Sequence, residues 1–366
     1  MMSEVEKIKA GLRKKRVTSR AVRPEDLLST GSTLLNLACT GNWKGGFSKG
    51  KYFFVVGDSA SGKTFLSWTC LAEASVNPAF DDYRLIFDDV EGGSLMSIEK
   101  FFGKKVAERV EPPERDEEGS PIYSTTIDEF YFHLDDALDA GPCLYVLDSM
   151  DGLTSDTEQS KFEEKKVATR KGKEVSGSYG DGKAKTNSGV LRQCLSKMRK
   201  NGSILLIVNQ TRDNIGAGFF ESKKTRSGGH ALTFYAAIEL WSAVAGEIKK
   251  TVRETPRTVG TKCKIRVKKN RYSGRKRIVE LPIYYDYGID DIESCVDFLV
   301  KEKQWKKVSG KIDTGKDLGD VGAMQKKKLI RTIEERGLEQ NLRMLTADVW
   351  NEIEEACGED RKPRYT

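Results

Sequence analysis

The feature that most constrains this chain is the stretch from residue 51 to residue 64, which reads "KYFFVV" and then "GDSASGKT". The second part matches the pattern G-x-x-x-x-G-K-[ST] at every fixed position. In that pattern, glycines let backbone N–H groups turn inward around a phosphate, and the following helix adds the partial positive charge of its N-terminus. The match therefore predicts a strand, a phosphate-binding turn and a helix in that order. A glycine-rich turn that holds no nucleotide is the alternative.

The residues of this turn, hereafter the P-loop, have expected roles. The Lys63 ammonium is expected to reach the β- and γ-phosphates of a nucleotide, and the Thr64 hydroxyl is expected to ligate Mg²⁺. ATP and Mg²⁺ are therefore the predicted cofactors. The predicted nucleotide-binding residues of the turn are Gly57, Asp58, Ser59, Ala60, Ser61, Gly62, Lys63 and Thr64.

Short apolar runs alternate with helical stretches over much of the chain. The runs are too short for buried helices and are rich in Val, Ile, Leu and aromatic residues, which favours strands. Such alternation implies a mainly parallel sheet with helices on both faces, an α/β fold. Residues 63–76 and 188–200 are predicted helices, and the runs at 263–269 and 277–285 predict a hairpin that extends the sheet. The predicted strands are residues 51–56, 84–89, 143–149, 203–210 and 236–244.

Composition divides the chain into three expected parts. Residues 1–26 form a small basic N-terminal segment, residues 27–289 hold the α/β core, and residues 290–366 form a small, mainly helical C-terminal domain. Two stretches within the core, at residues 155–189 (hereafter the first loop) and 211–229 (hereafter the second loop), lack apolar periodicity. Long structureless loops inside a compact domain are usually functional or disordered.

Basic residues are clustered, although the net charge of the chain is only +7. Residues 7–23 contain eight basic residues and no acidic one, and residues 249–277 contain thirteen basic residues against one acid. Such clusters suit a polyphosphate partner, through Coulomb attraction and counterion release; a solvated basic face is the alternative. The chain has no apolar signal core and no stretch near the ~18 apolar residues of a membrane span, so we expect a soluble, cytoplasmic protein.

Polar residues follow the predicted strands at the edge where a nucleotide would lie. Asp148 ends the run "LYVLD", and its carboxylate can orient the water shell of Mg²⁺. Hydrolysis also needs a group that positions the attacking water, and an amide could sense the γ-phosphate without a charge. A helix cap or a turn residue is the alternative for any of the carboxylates. The candidates are Asp88, Asp89, Glu91, Asn209 and Gln210.

Several ordered motifs carry a family resemblance. The stretch "LLSTGSTLLNLACTGNWKGGFSKGKYFFVVGDSASGKT" places a Ser-Thr-Gly-Ser turn, a helix, a Gly-Gly and a strand before the end of the P-loop. It is followed in order by "DDVEGG", "YVLDSMDGLT", "IVNQTRDNIG", "SGGHALTFYAAIEL", "VKKNR" and "YYDYGID". This set, over about residues 27–300, resembles the RecA recombinases, including their shorter phage relatives of the UvsX type. The resemblance implies a RecA-like P-loop NTPase core.

The resemblance also implies roles around the nucleotide. Glu91 would be the catalytic glutamate that activates water, and Gln210 would be the γ-phosphate sensor that couples nucleotide state to the following DNA loop. Lys269 and Arg271 would reach the γ-phosphate of the neighbouring subunit's ATP, and Tyr285 would lie near the adenine. ATP would then lie between protomers, which links nucleotide binding to filament assembly. Together with Lys63 of the P-loop, these residues make up the implied catalytic set: Glu91, Gln210, Lys269 and Arg271.

The resemblance further implies contacts with DNA and with neighbouring subunits. Phe234 would pack across the subunit interface, and the basic N-terminal segment would dock on an adjacent protomer, with DNA contact as its rival use. Arg212 can neutralise a phosphate and Ile215 can wedge between bases of a single strand, while surface charge is the alternative. The implied DNA-binding residues are Arg212, Ile215, Gly228 and Gly229 in the second loop, and Arg192, Ser196 and Arg199 beside the first.

The implied activity is ATP-dependent homologous recombination and DNA repair. The protein would form a helical filament on single-stranded DNA, pair it with a homologous duplex and exchange strands, with single-strand-binding and mediator proteins as further partners. A ring-forming RecA-fold motor such as a helicase, and a non-catalytic ATP-gated DNA-binding regulator, are the alternatives. A longer, lysine-rich first loop, His230 in place of the usual Asn, and unfamiliar residues after Glu91 favour a phage-type enzyme.

Overall fold

The computed structural model of the protein describes residues 22–170, 182–213, 224–226, 229–319, 321–359, 361 and 364. Strands and helices are numbered along the chain within these residues. The strands are β1 (Leu27–Leu28), β2 (Phe47–Ser48), β3 (Tyr52–Gly57), β4 (Arg84–Asp89), β5 (Cys143–Asp148), β6 (Ile204–Asp213), β7 (Lys224–Arg226), β8 (Ile238–Val252), β9 (Thr255–Asn270), β10 (Ile278–Tyr284), β11 (Gly288–Ile289), β12 (Lys306–Val308) and β13 (Lys311–Asp313). The helices are α1 (Thr33–Thr40), α2 (Lys63–Val76), α3 (Ile98–Phe102), α4 (Lys104–Arg109), α5 (Ile127–Ala140), α6 (Asp156–Arg170), α7 (Gly182–Asn201), α8 (Gly229–Tyr235), α9 (Asp291–Lys301), α10 (Lys326–Glu335) and α11 (Glu339–Ala356).

Most of the described strands belong to one large sheet. Its order is β11-β10-β9-β8-β3-β6-β5-β4, and β7 pairs with β6. Neighbours from β8 to β4 run parallel, whereas β9, β10 and β11 add antiparallel pairs at one side. The predicted mainly parallel sheet, extended by an antiparallel hairpin, is therefore confirmed.

The central strand β3 shows why this sheet needs helices on both faces. Phe53 and Val55 point into one buried cluster, to which α1 and α2 contribute most of the helical side chains. Tyr52, Phe54 and Val56 point into a second buried cluster, to which α5 and α7 contribute. Side chains of a strand alternate between the two faces, so a strand covered on both sides is apolar throughout.

Several predicted bounds agree with the structure, and others fall short. Strand β4 and helix α2 have the predicted limits of 84–89 and 63–76. Strands β6, β8 and β9 are longer than predicted. Strands β8 and β9 continue beyond the core into an antiparallel arm with many exposed residues. Outside the core a strand needs no apolar run, since its partner strand satisfies the backbone hydrogen bonds.

The prediction that residues 155–189 lack structure is wrong for α6 and for the start of α7. Residues 156–170 are rich in Glu, Gln, Lys and Arg, which have high helix propensity even without an apolar stripe. In the second stretch, residues 211–213 extend β6 and pair with β7. Residues 214–223, 227 and 228 of that stretch lie outside the described residues.

The C-terminal part has its own apolar cluster, which includes Trp305, Leu329 and Leu342. Polar contacts join it to the core. Asp291 accepts hydrogen bonds from the backbone N–H of Thr33 at 2.7 Å and from Arg343 at 3.0 Å. The boundaries predicted at residues 26 and 289 stay predictions, and residues 1–21 of the basic segment are outside the described part.

None of the helices in the described residues combines the length and apolar composition that crossing a membrane requires.

Candidate active site

The P-loop lies between the end of β3 and the start of α2, as predicted. Two of its residues have positive φ, Ala60 at 57° and Gly62 at 82°. A Cβ on Gly57 would lie 2.5 Å from the carbonyl oxygen of Ser242, so only glycine fits beside β8 there. The hydroxyl of Ser242 also donates a hydrogen bond of 2.6 Å to the carbonyl oxygen of Ser61. Strand β8 thus supports the loop from one side.

Lys63 begins α2 and is only 8% exposed. Its Nζ donates a hydrogen bond of 2.6 Å to the carbonyl oxygen of Asp58, within the loop itself. Burial lowers the pKa of Lys63, whereas the nearby carboxylates of Asp148 and Glu91 oppose that shift. A buried ammonium at the start of a helix is the counter-charge that a polyphosphate needs.

Asp148 ends β5 and is buried beside the P-loop. Burial raises the pKa of Asp148 to about 6, and a hydrogen bond from the Thr64 hydroxyl opposes the shift. A hydroxyl and a carboxylate in contact are hard oxygen donors, which suit Mg²⁺ held also by phosphates and water. The predicted metal pair, Thr64 and Asp148, therefore fits Mg²⁺.

The structure distinguishes the three carboxylates at the end of β4, Asp88, Asp89 and Glu91. Asp88 is buried and accepts hydrogen bonds from the Ser124 hydroxyl at 2.6 Å and the Tyr145 hydroxyl at 2.9 Å. Asp89 accepts from the backbone N–H groups that follow it in a turn, at 3.1 and 3.0 Å. Both carboxylates are therefore occupied by structural contacts, whereas Glu91 is exposed.

Glu91 and Gln210 are in direct contact. The Nε2 of Gln210 donates a hydrogen bond of 2.9 Å to Oε1 of Glu91, which also accepts from the hydroxyl of Ser149. Glu91 and Ser149 follow β4 and β5, and Gln210 lies within β6 opposite Gly57, the first residue of the P-loop. The edge of the sheet thus brings a carboxylate and an amide together next to the P-loop.

Sequence reasoning missed Asp151, which lies just beyond the end of β5. Its carboxylate accepts hydrogen bonds from the backbone N–H of Gln210 at 2.7 Å and from the Arg212 guanidinium at 3.0 Å. Asp151 therefore positions two residues of β6 that the family resemblance singles out. Its place three residues after Asp148 in "LDSMD" was the available signal.

Lys269 and Arg271 lie away from the P-loop of their own chain. Gly57 pairs with Ser242 on β8, whereas Lys269 pairs with Glu239, nearer the amino end of that strand. The Lys269 Nζ donates to the carbonyl oxygen of Phe234 at 2.8 Å, and Arg271 bonds the same oxygen. Burial, with a smaller effect of Arg271, lowers the pKa of Lys269 to about 8.

Phe234 and Tyr285 are large exposed side chains at opposite ends of the parallel strands: Phe234 near their amino ends and Tyr285 near their carboxyl ends. Phe234 is 63% exposed and lies with Arg271 at the edge far from the P-loop. Tyr285, which is 56% exposed, follows β10, and Ile283 of that strand faces Gly62. Tyr285 therefore lies at the same edge as the P-loop, where the adenine was predicted.

The predicted DNA-binding residues do not form one group. Arg212 lies by Asp151, near the P-loop edge, and Gly229 begins α8 with a φ of 75°. Arg192 and Arg199 on α7 instead line a groove of about 1020 Å³ with Phe234 and Arg271. Ser196 is exposed on the same helix, and Ile215 and Gly228 lie outside the described residues.

Comparisons with known proteins agree with these motifs. Residues 165–290 match the family model described as the RecA N-terminal domain. The chain is 28% identical over 324 residues to the protein RecA of Cytophaga hutchinsonii, which covers 82% of this chain and 78% of the relative. It is 26% identical over 317 residues to the protein RecA of Streptococcus pyogenes, covering 82% and 74%. These relatives are bacterial, so they lend no support to the predicted phage origin.

Proposed function

Because the chain belongs to the RecA family, we propose that it is an ATP-dependent DNA recombinase. It would form a helical filament on single-stranded DNA, pair that strand with a homologous duplex and exchange strands, in recombination and repair. Hydrolysis would weaken the filament and recycle the protein. The protein would act in the cytoplasm. Single-strand-binding and mediator proteins would be further partners.

The observation that carries this proposal is the contact between Glu91 and Gln210 beside the P-loop. Glu91 would accept a proton from the attacking water, because its carboxylate is the exposed one of the three at the end of β4. Gln210 would link the nucleotide to β6, which continues toward the second DNA loop. The hydrogen bond between Gln210 and Glu91 would thus couple ATP hydrolysis to DNA binding.

Lys63, Thr64 and Asp148 are the residues that would hold ATP and Mg²⁺. Lys63 would bind phosphate oxygens in place of the Asp58 carbonyl, and Thr64 with Asp148 would hold the ion directly or through its water. When bound, Mg²⁺ neutralises charge on the phosphates. Tyr285, at the same edge, would lie against the base.

Lys269 and Arg271 would act on the neighbouring protomer's nucleotide. Their position toward the amino ends of the parallel strands keeps them from the P-loop of their own chain, which supports a role in trans. Exposed Phe234 beside them would enter the same interface. Each ATP would then stabilise a seam between protomers, so nucleotide binding and assembly would reinforce each other.

DNA would be held mainly through its phosphates and by stacking, so binding would depend little on sequence. Arg212 and the exposed side chains of Arg192, Ser196 and Arg199 would supply such contacts, together with Ile215, Gly228 and Gly229. Because the groove on α7 adjoins Phe234, Arg192 and Arg199 also have access to the subunit seam.

A strand-exchange assay tests the proposal. A circular single strand is mixed with a homologous linear duplex, with ATP or with a slowly hydrolysed analogue, and a duplex of unrelated sequence serves as the control. We expect joint molecules with both nucleotides and only with the homologous duplex. ATP hydrolysis on DNA without any joint molecules would indicate a motor, and DNA binding without hydrolysis would indicate a regulator.

A further inference from the structure

The second position of the P-loop carries a carboxylate at a place where anions are expected. Asp58 follows Gly57 directly, and its carbonyl oxygen accepts the hydrogen bond from Lys63 and another of 2.7 Å from the Ser61 hydroxyl. A triphosphate in this loop would lie close to the Asp58 side chain. Two like charges at short range repel, so this carboxylate needs a counter-charge for the loop to bind a nucleotide well.

The counter-charge comes from the hairpin of β6 and β7, which extends into the second loop. The Nζ of Lys224 on β7 forms an ion pair with Oδ1 of Asp58, and the hydroxyl of Thr211 on β6 donates to the same oxygen. These two hydrogen bonds lower the pKa of Asp58 below its ordinary value. One carboxylate of the P-loop therefore holds both arms of the hairpin.

The pairing of β6 with β7 makes this contact depend on the hairpin as a unit. Asp213 is the backbone partner of Lys224, and Thr211 is the partner of Arg226. Lys224 is separated from Asp58 by 166 residues of sequence, so only the folded hairpin brings the ammonium to the loop. Any displacement of β7 would remove the positive charge from Asp58.

We propose that Lys224 is the positioning residue that neutralises Asp58, so that the affinity of the P-loop for a triphosphate depends on the docked position of the β6–β7 hairpin. By reciprocity, a bound nucleotide favours the docked hairpin, because each stabilises the same arrangement. This route is separate from the contact between Gln210 and Glu91. The inference rests on the proposed function, since it needs a nucleotide in the P-loop.

The test measures the affinity for a fluorescent, slowly hydrolysed ATP analogue in the absence of DNA. Lys224→Ala is expected to raise the Kd about fivefold, and the effect should shrink at high salt because the pair is solvent-exposed. Lys224→Arg keeps the charge and should stay within about twofold of wild type. Lys307→Ala, which removes an exposed lysine from β12, is the matched control.

A second variant separates neutralisation of Asp58 from direct contact with the phosphates. In the Asp58→Asn background the carboxylate charge is gone, so adding Lys224→Ala should change the Kd by less than about twofold. An equal loss with and without Asp58→Asn would overturn the inference, and so would wild-type affinity in Lys224→Ala. If wild-type protein itself bound no analogue, the proposed function would fail and this inference with it.

Discussion

The Nε2 of Gln210 lies 2.9 Å from Oε1 of Glu91 and donates a hydrogen bond to it. The amide that is expected to sense the γ-phosphate thus holds the carboxylate that is expected to activate water. A γ-phosphate oxygen is a competing acceptor for this amide, so a bound triphosphate would draw the amide from Glu91. Glu91 would then be available to accept a proton. The pair would let the proposed hydrolysis and the second loop respond to the same nucleotide.

Glu91→Gln tests the catalytic assignment. The substitution keeps the size of the side chain and removes the basic carboxylate, so we expect the DNA-dependent ATPase rate to fall by about 10²- to 10⁴-fold. The Kd for ATP should change by less than about threefold, since Glu91 is not expected to bind the phosphates. Glu99→Gln on α3, another exposed glutamate, is the control. A rate within error of wild type would show that Glu91 is not the base.

Lys63→Ala tests the role of the P-loop ammonium. Its loss removes the main counter-charge of the γ-phosphate, so nucleotide-dependent assembly on single-stranded DNA should be abolished. Sedimentation of the protein with a labelled oligonucleotide, with and without ATP analogue, measures this. Lys105→Ala, at an exposed position on α4, is the control. Assembly that still responds to nucleotide would contradict the assignment.

Asp148→Asn should reveal the cost of burying a charge at the proposed metal site. Burial raises the pKa of Asp148 from 3.8 to about 6, so the folded state holds this proton more tightly than the unfolded state does. The free energy of unfolding of wild type therefore decreases as the pH rises between those two values. Without Mg²⁺ and nucleotide, the variant should be more stable than wild type by about 1–3 kcal/mol at pH 7.5.

The same comparison at low pH gives the sign of the effect. As the pH falls through about 6 toward 4, wild type regains the proton, and the advantage of the variant should shrink. Denaturant unfolding at both pH values measures it, with Asp82→Asn as an exposed control. Mg²⁺ with ATP should raise the free energy of unfolding of wild type more than that of the variant. An equal stability difference at both pH values would contradict this explanation.

Mixing two defective variants tests whether Lys269 and Arg271 act across the seam. The double substitution Lys269→Ala/Arg271→Ala should lose cooperative assembly and ATPase activity while an isolated protomer still binds ATP. Protomers with Lys63→Ala retain the two cations, so mixed filaments contain some complete sites at heterologous seams. ATPase activity should therefore reappear in the mixture. No recovery, together with lost ATP binding by the double variant, would place both residues in their own chain's site.

The local parts of the fold were predictable from the sequence. Strand β4 and helix α2 have the expected bounds, because apolar runs of limited length and a glycine-rich turn mark their ends. Helix α6 was missed because its residues favour helix without an apolar stripe. The arm formed by β8 and β9 was underestimated because many of its residues are exposed.

The candidate site was only partly predictable. Lys63, Thr64 and Asp148 follow from spacing and strand ends. Asp88, Asp89 and Glu91 look alike in sequence, and only contacts with distant residues such as Ser124 and Tyr145 separate them. Asp151 and Lys224 acquire their roles through partners in other segments, which no local pattern shows.

Electron microscopy of the wild-type chain with circular single-stranded DNA tests whether ATP between protomers builds a filament. With a slowly hydrolysed ATP analogue we expect regular helical filaments along the DNA, and without nucleotide we expect none of regular pitch. Closed rings or single, unassembled particles in the presence of both nucleotide and DNA would contradict it.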